Sequence, residues 1–465
     1  MSAASRLVCT GCGAVVTAHE PYPFSCPNAG AGDVDHVLRR RLDYTAVPFP
    51  FRSDEPNPFL RYRELLHPYH AALAGGLSDE KFCALVRGLD ERVASVDGHG
   101  FEATPFSRSD ELSRQLGFSS TGGVWVKDET GNVSGSHKAR HLFDVLMQLE
   151  VAEQAGWIDA FERRPLAIAS CGNAALAAAV LAAAAGRSLT VFVPPDADPA
   201  VTTRLDALGA GVTTCERRPG TTGDPTYAAL LKAIAEGALP FTCQGNLNGL
   251  AVEGGMTLGY ELVSELAATR TTLDRLIVQV GGGALASACY EALADAGALG
   301  RLHRLPRIDT IQTHGSAPLR RAYERVVQAG GPKALTAAAR QRSRFMWPWE
   351  TSPHSIAHGI IDDETYDWLA VVEAMLATGG APFLVDEETL VEGNALAREA
   401  TGINVDHTGS SGFAGLVALR ETGAVGPNER VAVLFTGVTR ATRHPDERKR
   451  DEKLSRPGHP VAQGI

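Results

Sequence analysis

Short apolar runs alternating with helix-length patterns constrain this chain more than any other feature. Val124–Lys127, Leu166–Ala169, Leu189–Val193, Val212–Thr214, Leu276–Val280, Ile308–Gln312 and Val431–Phe435 read as strands. Between several of them lie amphipathic or alanine-rich stretches such as Ala174–Ala185 and Ala251–Ala267. A strand with one wet face alternates apolar and polar residues, whereas a near-continuous apolar run is buried on both faces. Such strands, interleaved with helices, predict parallel sheets covered on both sides, an α/β doubly wound architecture. Ligands in these folds collect beyond the carboxyl ends of the strands.

A chain of 465 residues is too long for one small core and suits two or three packed units. The net charge of −10 supplies no basic excess to neutralise phosphates, so neither a nucleic acid nor an anionic membrane is an expected partner. The stretch Pro165–Gly186 is mostly alanine and is broken by Gly172-Asn173, which argues against a membrane span. Met1–Leu7 has no apolar core of the kind a signal peptide needs. Eight cysteines in a chain this long do not form a disulfide scaffold, and a reduced, cytoplasmic protein is expected.

Residues 1–45 form a separate head. Cys9-Thr-Gly-Cys12-Gly, with Cys26-Pro and Asp33-Val-Asp35-His36 further on, resembles a zinc ribbon lacking its second Cys-x-x-Cys. Cys9, Cys12 and Cys26 would be ligands, with His36, Asp35 or His19 the fourth; the alternative is a remnant turn with free thiols. A four-ligand site would be structural, since it leaves no open position for chemistry. Residues 46–440 read as the catalytic core of two α/β subdomains, the smaller at about 125–250, and 441–465 as a charged surface tail.

Four loops in the core carry candidate chemistry. Lys138 follows a strand, the turn Gly135-Ser136 and His137; beside a carbonyl cofactor its amine would form a Schiff base. Ser170-Cys171-Gly172-Asn173-Ala174 opens a helix, whose free N–H groups attract a carboxylate. Gly281-Gly282-Gly283-Ala284 stands between a strand and a helix, where backbone N–H groups can close on an anion. The same loop satisfies a dinucleotide fingerprint at Gly281, Gly283 and Ala286, although Asp309 comes late for its acidic partner. Thr436 ends the last strand.

In order and spacing these loops resemble the fold type II pyridoxal-phosphate enzymes, the threonine synthase and tryptophan synthase β group, over roughly residues 100–440. Further matches are Thr104-Pro-Phe106, Gln244 to Asn248, Glu253-Gly254-x-x-Thr257-x-x-x-Glu261, Ser355-Ile-Ala-His358-Gly359 and Thr408 to Gly415. Some threonine synthases also carry a cysteine-bearing head. The resemblance implies that Lys138 binds pyridoxal 5′-phosphate and works as base at the substrate Cα. It assigns the phosphate to Gly281, Gly282, Gly283 and Ala284, helped by His137, and the 3′-oxygen to Asn173. Ser170, Cys171, Gly172, Asn173 and Ala174 would hold the substrate carboxylate, with His358 a candidate substrate contact. Thr436 would face the pyridine nitrogen and, as a neutral hydroxyl, favour elimination.

The implied protein is a homodimeric lyase catalysing β- or γ-elimination or replacement on a small amino acid. Ala139-Arg140-His141 stands where threonine synthases have Asp-Arg-Gly, which moves serine, threonine or an O-activated relative ahead of O-phosphohomoserine. Two other readings fit part of the pattern: a nicotinamide-dependent oxidoreductase using Gly281-Gly283-Ala286, and a non-catalytic pyridoxal-phosphate-binding regulatory homologue.

Overall fold

Each apolar run named above becomes a strand, and all but Gly211–Thr214, which is mostly exposed, are largely buried. A computed structural model describes residues 4–50, 54–159, 161, 163–217 and 223–440; the expected tail, 441–465, lies outside them. The head supplies β1 (Ser5–Cys9), β2 (Val15–Val16) and β3 (Leu38–Leu42), an antiparallel sheet in the order β2-β1-β3. The core supplies β4 (Phe106–Ser109), β5 (Gly123–Asp128), β6 (Leu166–Ala169), β7 (Leu189–Val193) and β8 (Gly211–Thr214). It continues with β9 (Leu239–Pro240), β10 (Arg275–Gln279), β11 (Arg307–Thr313), β12 (Pro382–Val385) and β13 (Arg430–Phe435).

These core strands form two sheets. One has the order β12-β11-β10-β13-β5-β4, parallel except where β4 runs antiparallel to β5 at the edge. The other is the parallel β8-β7-β6-β9. The smaller sheet therefore begins at Leu166: the strand near 125, expected to open the smaller subdomain, pairs with β13 in the larger sheet. Strands β10 and β13 are buried almost throughout, as parallel strands between helix layers require.

Two helices lock the centre. Lys138–Gln154 and Leu250–Ala268 approach so closely that a Cβ at Gly254 would lie 2.2 Å from the Arg140 carbonyl oxygen, and one at Gly255 2.2 Å from the His141 ring. Beneath this contact lies a fully enclosed ionic network. Arg140 donates from Nε to Glu129 at 2.8 Å and from Nη1 to Glu261 at 2.7 Å and Thr257 at 3.1 Å. Lys127 donates to Glu261 and to the Thr104 carbonyl, and Thr104 Oγ1 donates to Glu129. The matched residues Thr104, Thr257 and Glu261 are thus a structural spine. Two cations face two carboxylates there, which makes burial of all four tolerable.

The head is bolted to this core by charge. Arg39 meets Glu291 and Glu373, and Arg40 meets Glu253 at 3.0 Å and also Asp295. Among the described residues, no helix is long and apolar enough to cross a membrane.

Candidate active site

The chain after β5 reaches Lys138 through two consecutive left-handed residues, Ser134 (φ 56°) and Gly135 (φ 68°). A Cβ at Gly135 would lie 2.5 Å from Val438 Cγ1, so glycine is needed both for its φ and for this contact. The turn is fastened to the segment beyond β13: Val438 N–H donates to Gly135 O at 2.9 Å, and Ser136 bridges Gly437. Lys138 then opens its helix with no side-chain cap, half-buried.

His137 does not stand ready as a phosphate cation. It is buried, and its Nδ1 donates to the Thr436 carbonyl at 3.1 Å. Burial, reinforced by the charge of Lys138, holds its pKa well below the ordinary value, so the ring is neutral in this state. His141, next along the helix, is pushed down to about 3, again by burial first.

The second loop leads from β6 into the helix Asn173–Ala184, which also starts without a side-chain cap. Its first N–H groups are therefore available to an anion. Asn173 Oδ1 accepts from Arg440 Nη1, and its Nδ2 lies 3.5 Å from Asp406 Oδ2. A Cβ at Gly437 would fall 2.5 Å from that Nδ2, which requires a glycine after Thr436. Burial raises the Cys171 thiol, so Cys171 fills space as a neutral group.

The third loop follows β10, with Gly283 left-handed at φ 99° and the uncapped helix Ala284–Ala298 behind it. The segment Gly359–Asp367 lies directly on it. Thr365 Oγ1 donates to Gly281 O and the Asp367 N–H to Gly282 O, both at 2.9 Å. A Cβ at Gly281 would lie 2.4 Å from Asp362 Oδ2 and 2.9 Å from Ile360 Cα, so glycine is what lets this strap lie so close. Asp362 was not singled out in the sequence. Burial pushes it up to about 6, against the opposing charge of Lys138 and the Gly282 N–H.

Thr436 is 1% exposed, and its Oγ1 accepts from Gln279 Nε2 at 2.9 Å. That bond leaves the threonine's own proton free to donate. The loops therefore converge in space: Lys138 adjoins Thr436 through His137, Gly437 adjoins Asn173, and Asp362 faces both Lys138 and the glycines. His358 is exposed, while its neighbour Gly359 donates to Thr408 Oγ1 at 3.0 Å. An amine, uncapped helix starts, a glycine cradle, an amide and a donor hydroxyl fit a phosphorylated, carbonyl-bearing pyridine.

A second cluster lies in the head. Ligand atoms of Cys9, Cys12, Cys26 and His36 all fall within 4.8 Å of one another. Cys12 Sγ is 3.5 Å from Cys26 Sγ, and Cys9 Sγ is 3.6 Å from His36 Nδ1. Tetrahedral zinc with thiolates spaces sulfurs by about 3.8 Å, close to these values. His36 Nε2 lies 3.1 Å from the Ala31 carbonyl and so carries the proton, leaving the unprotonated Nδ1 with its lone pair toward the cluster. Of the three fourth-ligand candidates, His36 is the one in the cluster. Asp35 instead accepts from Trp368 Nε1 at 3.1 Å.

Fold and site together define a pyridoxal-phosphate enzyme of the doubly wound α/β class. The chain belongs to the pyridoxal-phosphate dependent enzyme family, whose model matches residues 99–437. It is similar to the threonine synthase of Methanocaldococcus jannaschii, 25% identical over 334 residues, covering 72% of this chain and 74% of that protein. It is also similar to the cysteate synthase of Methanoregula boonei, 27% identical over 338 residues, 71% and 73% of the two chains. The solved structure of Escherichia coli diaminopropionate ammonia lyase shares the fold, with a TM-score of 0.58 and 16% identity over 84% of this chain and 93% of that one. The nicotinamide reading of Gly281-Gly283-Ala286 is set aside, because the family match spans Lys138, Asn173 and the glycine loop together.

Proposed function

We propose that this protein catalyses β- or γ-elimination or replacement on a small amino acid, with Lys138 as the cofactor-bearing amine and the base at Cα. The observation that carries this reading is the convergence of Lys138, Asn173 and Thr436 on the segment 436–438. Pyridoxal 5′-phosphate, when bound, withdraws electrons from the substrate Cα and so lets its proton leave. Lys138 holds the cofactor and moves that proton. Ser170–Ala174 and the uncapped helix behind them take the substrate carboxylate. Gly281, Gly282, Gly283 and Ala284 take the cofactor phosphate on main-chain N–H groups, and Asn173 donates to the cofactor's 3′-oxygen.

Thr436 supports the choice of reaction. Its hydroxyl, already accepting from Gln279, has a proton to give the ring nitrogen but no negative charge with which to protonate it. A less electron-hungry ring favours loss of a leaving group. Asp362, whose proton affinity burial raises, is the carboxyl beside Lys138 that can hand a proton to a departing hydroxyl. The strap Gly359–Asp367 covers the glycine loop, bonding to the carbonyls of Gly281 and Gly282.

Serine, threonine and their O-activated derivatives come first as substrates. Ala139 and His141 replace the outer residues of the threonine synthase Asp-Arg-Gly motif, and the arginine that remains, Arg140, is consumed by Glu129 and Glu261 with no donor to spare for a substrate phosphate. Threonine-synthase-like γ chemistry is second, supported by the relatives and the cysteine-bearing head. The four donors of that head support a structural zinc. A homodimer and a cytoplasmic location are proposed on the family resemblance alone.

The test incubates pyridoxal-phosphate-loaded protein with serine, threonine, their O-acetyl and O-phospho derivatives and O-phosphohomoserine. Oxo acid, ammonia and phosphate are then followed. Release from at least one substrate is expected, whereas transamination alone would contradict the reading.

A further inference from the structure

We propose that Arg440 is a positioning residue, which fixes the amide of Asn173 so that Nδ2, and not Oδ1, faces the cofactor's 3′-oxygen. An asparagine amide has two ends of nearly equal shape, and its neighbours decide which way it points. A guanidinium carries donors only, so the end of Asn173 that meets Arg440 Nη1 must be the acceptor Oδ1. On the other side Asp406, whose carboxyl burial raises to about 6, presents above that pH an acceptor-only carboxylate 3.5 Å from Nδ2. The two constraints agree, and they hold the amide's N–H groups beside Gly437 and the end of β13.

Arg440 is itself held in place. Its Nη2 donates to the carbonyl of Ser134 at 2.7 Å, in the left-handed turn that delivers Lys138. It is half-buried, and the charges of Asp406, Asp97 and Asp198 offset the burial that lowers its pKa. The planar fork thus ties the lysine's turn to the asparagine's helix, a bridge that a lysine's single ammonium cannot reproduce in two fixed directions. Asn173 is the resulting point of control: a flipped amide would set Oδ1 against an anionic oxygen.

The inference rests on the reading of Lys138 and Asn173 as cofactor ligands, and the test separates the two. The pH midpoint of the visible absorption band of the pyridoxal-phosphate-loaded protein is measured for wild type, Arg440→Lys, Arg440→Gln, Asn173→Ala and the two double variants. Loss of a donated hydrogen bond to the anionic oxygen makes the neighbouring proton harder to remove. Arg440→Gln and Arg440→Lys are expected to raise the midpoint by about one pH unit, and to move it little once Asn173 is alanine. Arg440→Lys keeps the charge, so its shift isolates geometry, and it decides the matter alone if Arg440→Gln fails to fold. The proposal is overturned if Arg440→Lys leaves the midpoint at the wild-type value, or shifts it equally in the Asn173→Ala background. A wild-type protein that forms no visible band would overturn the cofactor reading itself.

Discussion

His137 and Thr436 meet at one carbonyl: the His137 main-chain N–H and its ring Nδ1 both donate to Thr436 O, at 3.2 and 3.1 Å. The histidine is thus spent on locating the end of β13 against the start of the Lys138 helix. Residues far apart in the chain acquire a fixed relation through a neutral ring.

That relation makes Thr436 a direct probe of reaction type. Thr436→Asp places a carboxylate where the hydroxyl stood, and a protonated ring nitrogen follows from it. Elimination should fall at least about tenfold, corresponding to about 1.4 kcal/mol in the barrier, while transamination rises. The product ratio of oxo acid and ammonia to the aminated cofactor measures this, and an unchanged ratio would remove Thr436 from the account.

Arg140 should matter for folding rather than for substrate. Arg140→Met leaves Glu129 and Glu261 sharing one cation, Lys127, beside the neutral donors Thr104 and Asn132, and breaking a buried pair in this way costs about 3–5 kcal/mol. Chemical unfolding reads the loss, and adding Glu129→Gln should recover part of it.

Asp367 gives the unliganded protein a pH-dependent stability. Burial pushes its carboxyl up to about 7, with Arg39 opposing. Its folded pKa lies above the unfolded value of 3.8, so the folded chain keeps a proton that the unfolded chain has lost. Stability from this group therefore falls as pH climbs from about 4 to about 7. Asp367→Asn keeps an acceptor for the Gly245 N–H, seen at 3.4 Å. It should flatten the fall and add on the order of 1–3 kcal/mol at pH 8. Melting temperatures of both proteins from pH 5 to pH 8 test it; parallel curves would count against the assignment.

The legible parts of this chain share a physical cause. Strands such as Leu166–Ala169 and Leu189–Val193 are buried on both faces, and their apolar runs gave them away to the residue. The edge strand Phe106–Ser109 escaped notice, because FSRS needs no apolar alternation beside solvent. Pro382–Val385 was hidden by its short length and opening proline. Lys138, Asn173, the glycines and Thr436 could be picked out as candidates because each follows a strand. Asp362 and Arg440 were not, since neither belongs to a local motif: one lies in a strap, the other borders a charged tail. The roles proposed for them rest only on what the fold places beside them.

The head offers a metal test. Cys12→Ser should lose zinc, measured as metal per chain, and lower the melting temperature before it lowers turnover, because the side chains of Cys9, Cys12, Cys26 and His36 bond within the head, to one another, to Asn28 and to the Ala31 carbonyl. Metal-free protein of unchanged stability would leave the four side chains as free thiols and a histidine.

The central claim is that Lys138 carries the cofactor. Borohydride reduction of the pyridoxal-phosphate-loaded protein, followed by digestion and mass spectrometry, reads this directly. The account predicts one pyridoxyl group per chain on Lys138, and none in Lys138→Ala, whose melting temperature should stay near that of the unliganded wild type. A label on a different lysine, or a wild-type protein that takes up none, would contradict it.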